Sequence, residues 1–230
     1  MRLSLFVLAA LCVVCCSAEI RALDPKPQST DPNHWWCKRF KEKSALIKAG
    51  GSQVVFIGDS ITQGWNSTYD SLSYANRVSD FFNADSVIQG VGGAFFHPSI
   101  FDDAIDYDPD FVIFAFGTND WGIQKSHDEL RANAAAFIEA ITKKFAGKKI
   151  FGLSPIWRGN SGELKPAGYF VDVCKTVKEE IVKHGVTLID GETLTPHMTD
   201  FFSDLYLHPN GLGFGVYAEN LCKQLKEYIW

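Results

Sequence analysis

The residues able to do chemistry in this sequence stand far apart along it, yet each follows the end of an apolar run. Ser60 closes Val54-Val55-Phe56-Ile57-Gly58-Asp59 and opens Ile61-Thr62-Gln63-Gly64. A serine at such a strand-to-helix turn has an exposed hydroxyl, and the backbone N–H groups of a helix start lack intrahelical acceptors. Val87-Ile88 runs into Gln89-Gly90-Val91-Gly92-Gly93, whose glycines let backbone donors come close to a ligand. Phe116 runs into Gly117-Thr118-Asn119-Asp120, which adds a carboxamide donor. A nucleophilic serine also needs a base, and the base needs a group that holds it in one tautomer. His208, directly ahead of Pro209 and the last helix, with Asp204 four residues upstream, supplies that half. The chemistry these types imply is acyl transfer through a serine.

The elements that must bring them together follow from hydrophobic patterning. Val54–Ile57, Val87–Ile88, Phe111–Phe116, Ile150–Leu153 and Val186–Ile189 are short and continuously apolar, as parallel strands covered on both faces should be. Leu130, Ala134, Phe137, Ile138, Ile141 and Phe145 share one helical face, and Ser126 with Glu129 forms a capping box at its start. A second helix is expected from near Pro166 to His184-Gly185, and a third carries Tyr217, Leu221, Leu225 and Tyr228. A charged helix over Cys37 to Lys48 precedes the first strand. Strand alternating with helix predicts a three-layer α/β/α sandwich with a five-stranded parallel sheet and right-handed crossovers. In such a sheet the site lies at the carboxyl ends of the strands.

Residues 1–18 read as a secretory signal peptide: Arg2, the apolar run Leu3 to Val14, then small residues ending at Ala18. The run is too short for a membrane span, so a secreted or periplasmic location is expected. Residues 19–36, with Pro25, Pro27 and Pro32, read as an N-terminal arm, and 37–230 as one folded domain. Net charge is -5 with 46% hydrophobic residues, so nucleic acid and anionic membrane are not expected partners. The mature chain keeps Cys37, Cys174 and Cys222, an odd number. Cys174 lies in an apolar stripe and reads as a buried small hydrophobe; Cys37 with Cys222 is a candidate bridge. Asn66-Ser67-Thr68 is a glycosylation triplet. No histidine or cysteine spacing suits a metal, and no cofactor is expected.

Gly58-Asp59-Ser60-Ile61-Thr62, Gly90, Gly117-Thr118-Asn119-Asp120 and His208-Pro209-Asn210, in that order, resemble the four motif blocks of the SGNH or GDSL hydrolases, across about residues 53 to 228. Trp65 after the serine block and the stretch Ser154 to Arg158 are similar to bacterial secreted, carbohydrate-esterase-like members. The resemblance implies the flavodoxin-like fold of that family, with Ser60 as nucleophile and first oxyanion donor. It implies Gly90 N–H and the Asn119 side chain as the other donors, and His208 as the base. The family's acid stands three residues before the histidine, where this chain has Leu205; Asp204 is the nearest substitute and Asp200 a weaker one. Trp65, Tyr74, Phe95, Trp121 and Trp157 are candidate rim aromatics, either core packing or substrate contacts, and Arg158 a candidate anchor for an anionic or hydroxyl-rich group. Asp59 and Asp120 read as structural partners of their loops, His97 and His197 as local structure, and His34, His127 and His184 as surface residues. The expected activity is ester hydrolysis through an acyl-enzyme, with O-deacetylation of a carbohydrate or other small acyl ester as the leading substrate class. Lipase or acyltransferase action and a non-catalytic carbohydrate-binding protein on a degenerate scaffold are the alternatives.

Overall fold

Alternation along the first strand explains why its sequence is apolar at every position. In a computed structural model describing residues 33, 54–65, 67, 72–97 and 108–229, Val54 and Phe56 face one helical layer while Val55 and Ile57 face the other, all fully buried. The signal segment, the arm apart from residue 33, the helix expected at 37–48, Cys37 and Asn66 lie outside the described residues.

The elements run β1 (Val54–Gly58), α1 (Ser60–Gln63), α2 (Tyr74–Phe82), β2 (Ser86–Gly90), β3 (Phe111–Ala115), α3 (Asp120–Ile123), α4 (His127–Lys144), β4 (Lys149–Leu153), β5 (Leu164–Lys165), β6 (Gly168–Tyr169), α5 (Phe170–Lys183), β7 (Thr187–Ile189) and α6 (Gly211–Ile229). The main sheet has the order β2-β1-β3-β4-β7, and every pairing in it is parallel. One layer packs Leu130, Phe137 and Ile141 of α4 with Val173, Val177 and Ile181 of α5; the opposite layer packs Tyr74 and Val78 of α2 with Phe214, Tyr217 and Leu221 of α6. Each such fully buried large side chain contributes about 1.5–3 kcal/mol relative to exposure. The chain leaves β1 toward β2 on one side and returns to β3 on the other. The carboxyl ends of β1, β2 and β3 therefore flank a crevice where strand order reverses.

All five strands read from the sequence are present, and α4 starts as expected, with Ser126 Oγ accepting from Glu129 N at 3.1 Å. The helix expected from Pro166 starts instead at Phe170. Leu164–Lys165 and Gly168–Tyr169 pair as a small antiparallel hairpin whose turn takes Gly168 to φ 101, and Pro166 belongs to that turn. Cys174 and Cys222 are buried free thiols, and burial pushes each up to about 12. No helix among the described residues is long and apolar enough to cross a membrane.

Candidate active site

Asp59 starts the local folding that presents Ser60. It caps α1, its Oδ1 accepting from Ile61 N at 2.9 Å, and leaves Ser60 at the first helical position. Ser60 is 6% exposed at the crevice. The floor beneath it is Gly90: a β-carbon there would lie 2.4 Å from Gln63 N and 2.7 Å from Gln63 Cα. Only glycine lets α1 rest on the end of β2, and Gln63 Oε1 then accepts from Gly92 N at 2.8 Å to fix the second block against the first. Gly90→Ala must displace α1 together with Ser60. A fall in kcat of about 100-fold is expected, the size that a misplacement of about 1 Å can cost. Steady-state kinetics on the folded variant check this, and activity within threefold of the parent chain would show that the close contact has no catalytic consequence.

His208 reaches Ser60 from the far end of the chain, with Ser60 Oγ and His208 Nε2 at 2.9 Å. Asp204 Oδ2 lies 2.6 Å from His208 Nδ1. The other carboxylate oxygen accepts from Tyr206 N, Leu207 N and His208 N at 3.2, 2.8 and 3.0 Å. Partial burial works against the charge on Asp204, but the bonds from Leu207, the imidazole, His208 and Tyr206 outweigh it and hold the carboxyl below its usual range. The extra residue between Asp204 and His208 is accommodated by Leu205 at φ 67, a left-handed turn that folds the loop around the carboxylate. Asp200 is not at the imidazole; its carbonyl accepts from Asn210 Nδ2.

Asn119 stands at the start of α3, half-buried, with Nδ2 donating to Ala94 O at 2.9 Å, so the amide is oriented by the loop that follows Gly90. Ser60, Gly90 and Asn119 thus stand at the ends of the three adjacent strands, as the fold requires. Trp65 is half exposed, its ring centroid 6.4 Å from that of His208. Phe95 is half-buried, in edge contact with His97.

Of the remaining rim candidates, Trp121, Tyr74 and Arg158 are buried. Trp121 is a core residue at 1% exposure, its Nε1 donating to Gly168 O, and Tyr74 stacks on Tyr217 and bonds Thr62 Oγ1. Of the two readings the sequence left open for them, core packing holds; for Trp121 this corrects its candidacy as a substrate contact, because the later hairpin covers a ring whose place in an early helix turn permitted exposure. Trp157 stacks on His197 and packs against Phe202, and Arg158 is buried with its guanidinium bound by Thr118 and Asn160. Arg158 presents no open surface, whereas Trp157 stays partly exposed. His127 bonds Ala167 O and Thr176 Oγ1, and His184 bonds Glu180 O, so both are tied into the fold rather than free at its surface. Among the described residues no cluster suits a metal. Sequence reasoning missed Gln63, Thr118 and Gly159; only spatial neighbours reveal their parts.

Two carboxyls behind Ser60 are unusually basic. Burial pushes Asp59 up to about 7 against hydrogen bonds from Ile61 and Thr62, with Asp120 adding to the rise and Arg158 opposing it. Burial also pushes Asp120 up to about 6, against Gln124 and Phe96. The folded chain keeps these protons to higher pH than the unfolded chain does. Their contribution is therefore full below the ordinary carboxyl range and is lost as pH rises from about 4 through about 7. Asp59→Asn, which retains the acceptor for Ile61, should flatten that decline and raise stability at pH 8 by on the order of 4 kcal/mol. Urea unfolding across pH 4 to 8 measures it, and identical slopes for both chains would sink it.

A family profile for the GDSL-like lipase/acylhydrolase family matches residues 56–216. Curated protein sequences give no match. Among solved structures, a Lactobacillus plantarum protein aligns with TM-score 0.64 at 18% identity, covering 80% of this chain and 100% of its own. An acetyl xylan esterase from the rumen bacterium Butyrivibrio proteoclasticus aligns with TM-score 0.55 at 17% identity, over 79% of this chain and 64% of its own. A salicylyl-acyltransferase from a tetracycline biosynthetic pathway aligns with TM-score 0.62 at 18% identity, over 79% of this chain and 56% of its own. At such identities the shared property is the fold. The family profile covers well over half of the chain, and the protein belongs to the GDSL-like lipase/acylhydrolase family as an ester-hydrolysing enzyme.

Proposed function

We propose that the protein is an exported serine esterase that works through an acyl-enzyme on Ser60. The observation that carries this reading is the unbroken path from Ser60 Oγ to His208 at 2.9 Å and on to Asp204 at 2.6 Å, at the carboxyl ends of the strands. His208 Nε2 takes the Ser60 proton as Oγ attacks the ester carbonyl. Asp204 holds the other ring nitrogen as donor and stabilises the imidazolium. Ser60 N–H, Gly90 N–H and Asn119 Nδ2 receive the oxyanion, each such donor being worth about 3–4 kcal/mol of transition-state stabilisation. The imidazolium protonates the leaving alcohol, and the imidazole then activates water to release the acid and restore Ser60.

For the substrate we propose a small acyl ester, with an O-acetylated carbohydrate foremost. Trp65 supports this as an exposed aromatic face beside His208, suited to a sugar ring; the acetyl xylan esterase among the structural neighbours agrees with it. Leu205 and Leu212, both more than half exposed and close in sequence to His208, favour as a second reading a longer acyl chain, as a lipase or acyltransferase would take. The third reading, a binding scaffold that has lost its acid, has Asp204 at the imidazole against it. A fluorophosphonate probe should label Ser60, located by mass spectrometry of the tryptic peptide, and acetylated xylan should release acetate faster than long-chain esters turn over. An unlabelled Ser60 refutes the mechanism; preference for long chains refutes only the carbohydrate.

A further inference from the structure

The sequence offers Arg158 as an anchor for substrate, yet the protein itself occupies most of its donors. The residue is 8% exposed. Its Nη1 donates to Thr118 O and to Thr118 Oγ1, both at 3.1 Å, and its Nε donates to Asn160 Oδ1 at 2.8 Å. The guanidinium carbon lies 4.7 Å from the Trp121 ring centroid and 5.5 Å from that of Phe170. A planar fork with fixed donor directions, stacked on an aromatic face, holds its target in one orientation as a lysine cannot. That target, Thr118, is the residue immediately before Asn119.

The next residue ties the same loop to the other half of the site. Gly159 N donates to Tyr206 O at 2.8 Å, inside the turn that carries Asp204 and His208. A β-carbon on Gly159 would lie 3.1 Å from Tyr206 Cβ and 3.2 Å from Leu205 O, so the two loops touch backbone to backbone. Resting on the serine-esterase reading, we infer that Arg158 is a positioning residue for the Asn119 oxyanion donor, gripping Thr118 and, through Gly159, keeping that donor in register with the His208 loop. Ala94 O aims the Asn119 amide from one side and Arg158 fixes its backbone from the other. Substrate need not touch the guanidinium at all.

A double-mutant cycle on the full chain tests this, read as kcat and KM for p-nitrophenyl acetate and as the rate of fluorophosphonate labelling per titratable Ser60. Arg158→Met should lower kcat by about 10- to 100-fold with KM within about threefold, below the 100- to 1000-fold expected of Asn119→Ala. In the Asn119→Ala background the same change should cost less than about threefold more, because its effect passes through the donor already removed. Thr118→Val, nearly isosteric and with the carbonyl retained, should reproduce part of the kcat loss even if Arg158→Met folds poorly. Losses at Arg158 and Asn119 that multiply independently overturn the inference. So does a lower melting temperature with an unchanged rate per titratable site, or a rise in KM confined to an anionic ester such as p-nitrophenyl succinate. A parent chain whose Ser60 never labels overturns the esterase reading as well, which separates the two failures.

Discussion

Replacing Ser60 by alanine should lower kcat on p-nitrophenyl acetate by at least about 10⁴-fold while leaving the melting temperature nearly unchanged. The side chain is small, and the partner of its Oγ is His208 Nε2 at 2.9 Å, so removing the hydroxyl leaves a slightly larger crevice and no stranded core group. His208→Ala should match it, and the double variant should lose no more than either alone. Nucleophile and base act in one step, so once either is gone the other has nothing to do. Residual turnover then comes from the oxyanion donors and from substrate binding. Kinetics with active-site titration decide the matter: Ser60→Ala retaining a tenth of the parent kcat would mean that another group attacks the ester, and losses that multiply in the double variant would mean that His208 does not serve Ser60.

The strand ends were readable in advance because burial on both faces leaves a signature that cannot be hidden. Val54–Ile57 and Phe111–Phe116 are apolar at every position, and a glycine or turn residue must follow where the chain leaves the sheet. Ser60, Gly90 and Asn119 were legible because each lies within three residues of the end of such a run, inside a motif block that the sequence resembles. What lies along the crevice wall was not legible. Trp121, in the short helix α3, and Arg158, in a loop, occupy positions whose sequence permits exposure, and only the hairpin Leu164–Tyr169 and the opening of α5 decide that they are covered, through Gly168 O and the Phe170 ring. Periodicity reports which face of an element is buried. It is silent on which loop folds over which, because that depends on contacts across tens of residues. The start of α5 failed similarly: Pro166 suits a first helical turn, but Gly168 at positive φ permits the tighter reversal of the hairpin.

Asp204 stands one residue further from the histidine than the family's acid does and still meets the imidazole, and Asp204→Asn is expected to lower kcat/KM by about 10³- to 10⁴-fold at pH 7. The carboxylate uses one oxygen to accept three backbone N–H groups and the other to face His208 Nδ1 at 2.6 Å. Asparagine can keep the first set through its carbonyl oxygen, so the loop and its left-handed Leu205 survive. Its NH2 must then point at Nδ1, which favours the tautomer with the proton on Nε2, and a protonated Nε2 cannot accept from Ser60. Asp204→Ala makes a different error: it also removes the acceptor shared by the N–H groups of Tyr206, Leu207 and His208, the last two part-buried, so stability should fall along with rate. Near-native melting with lost activity in the asparagine variant, against lowered melting in the alanine variant, separates orientation of the base from support of the loop. A loss under tenfold for Asp204→Asn would point to a Ser60–His208 dyad oriented by other means, and the left-handed turn at Leu205 would then have no catalytic purpose.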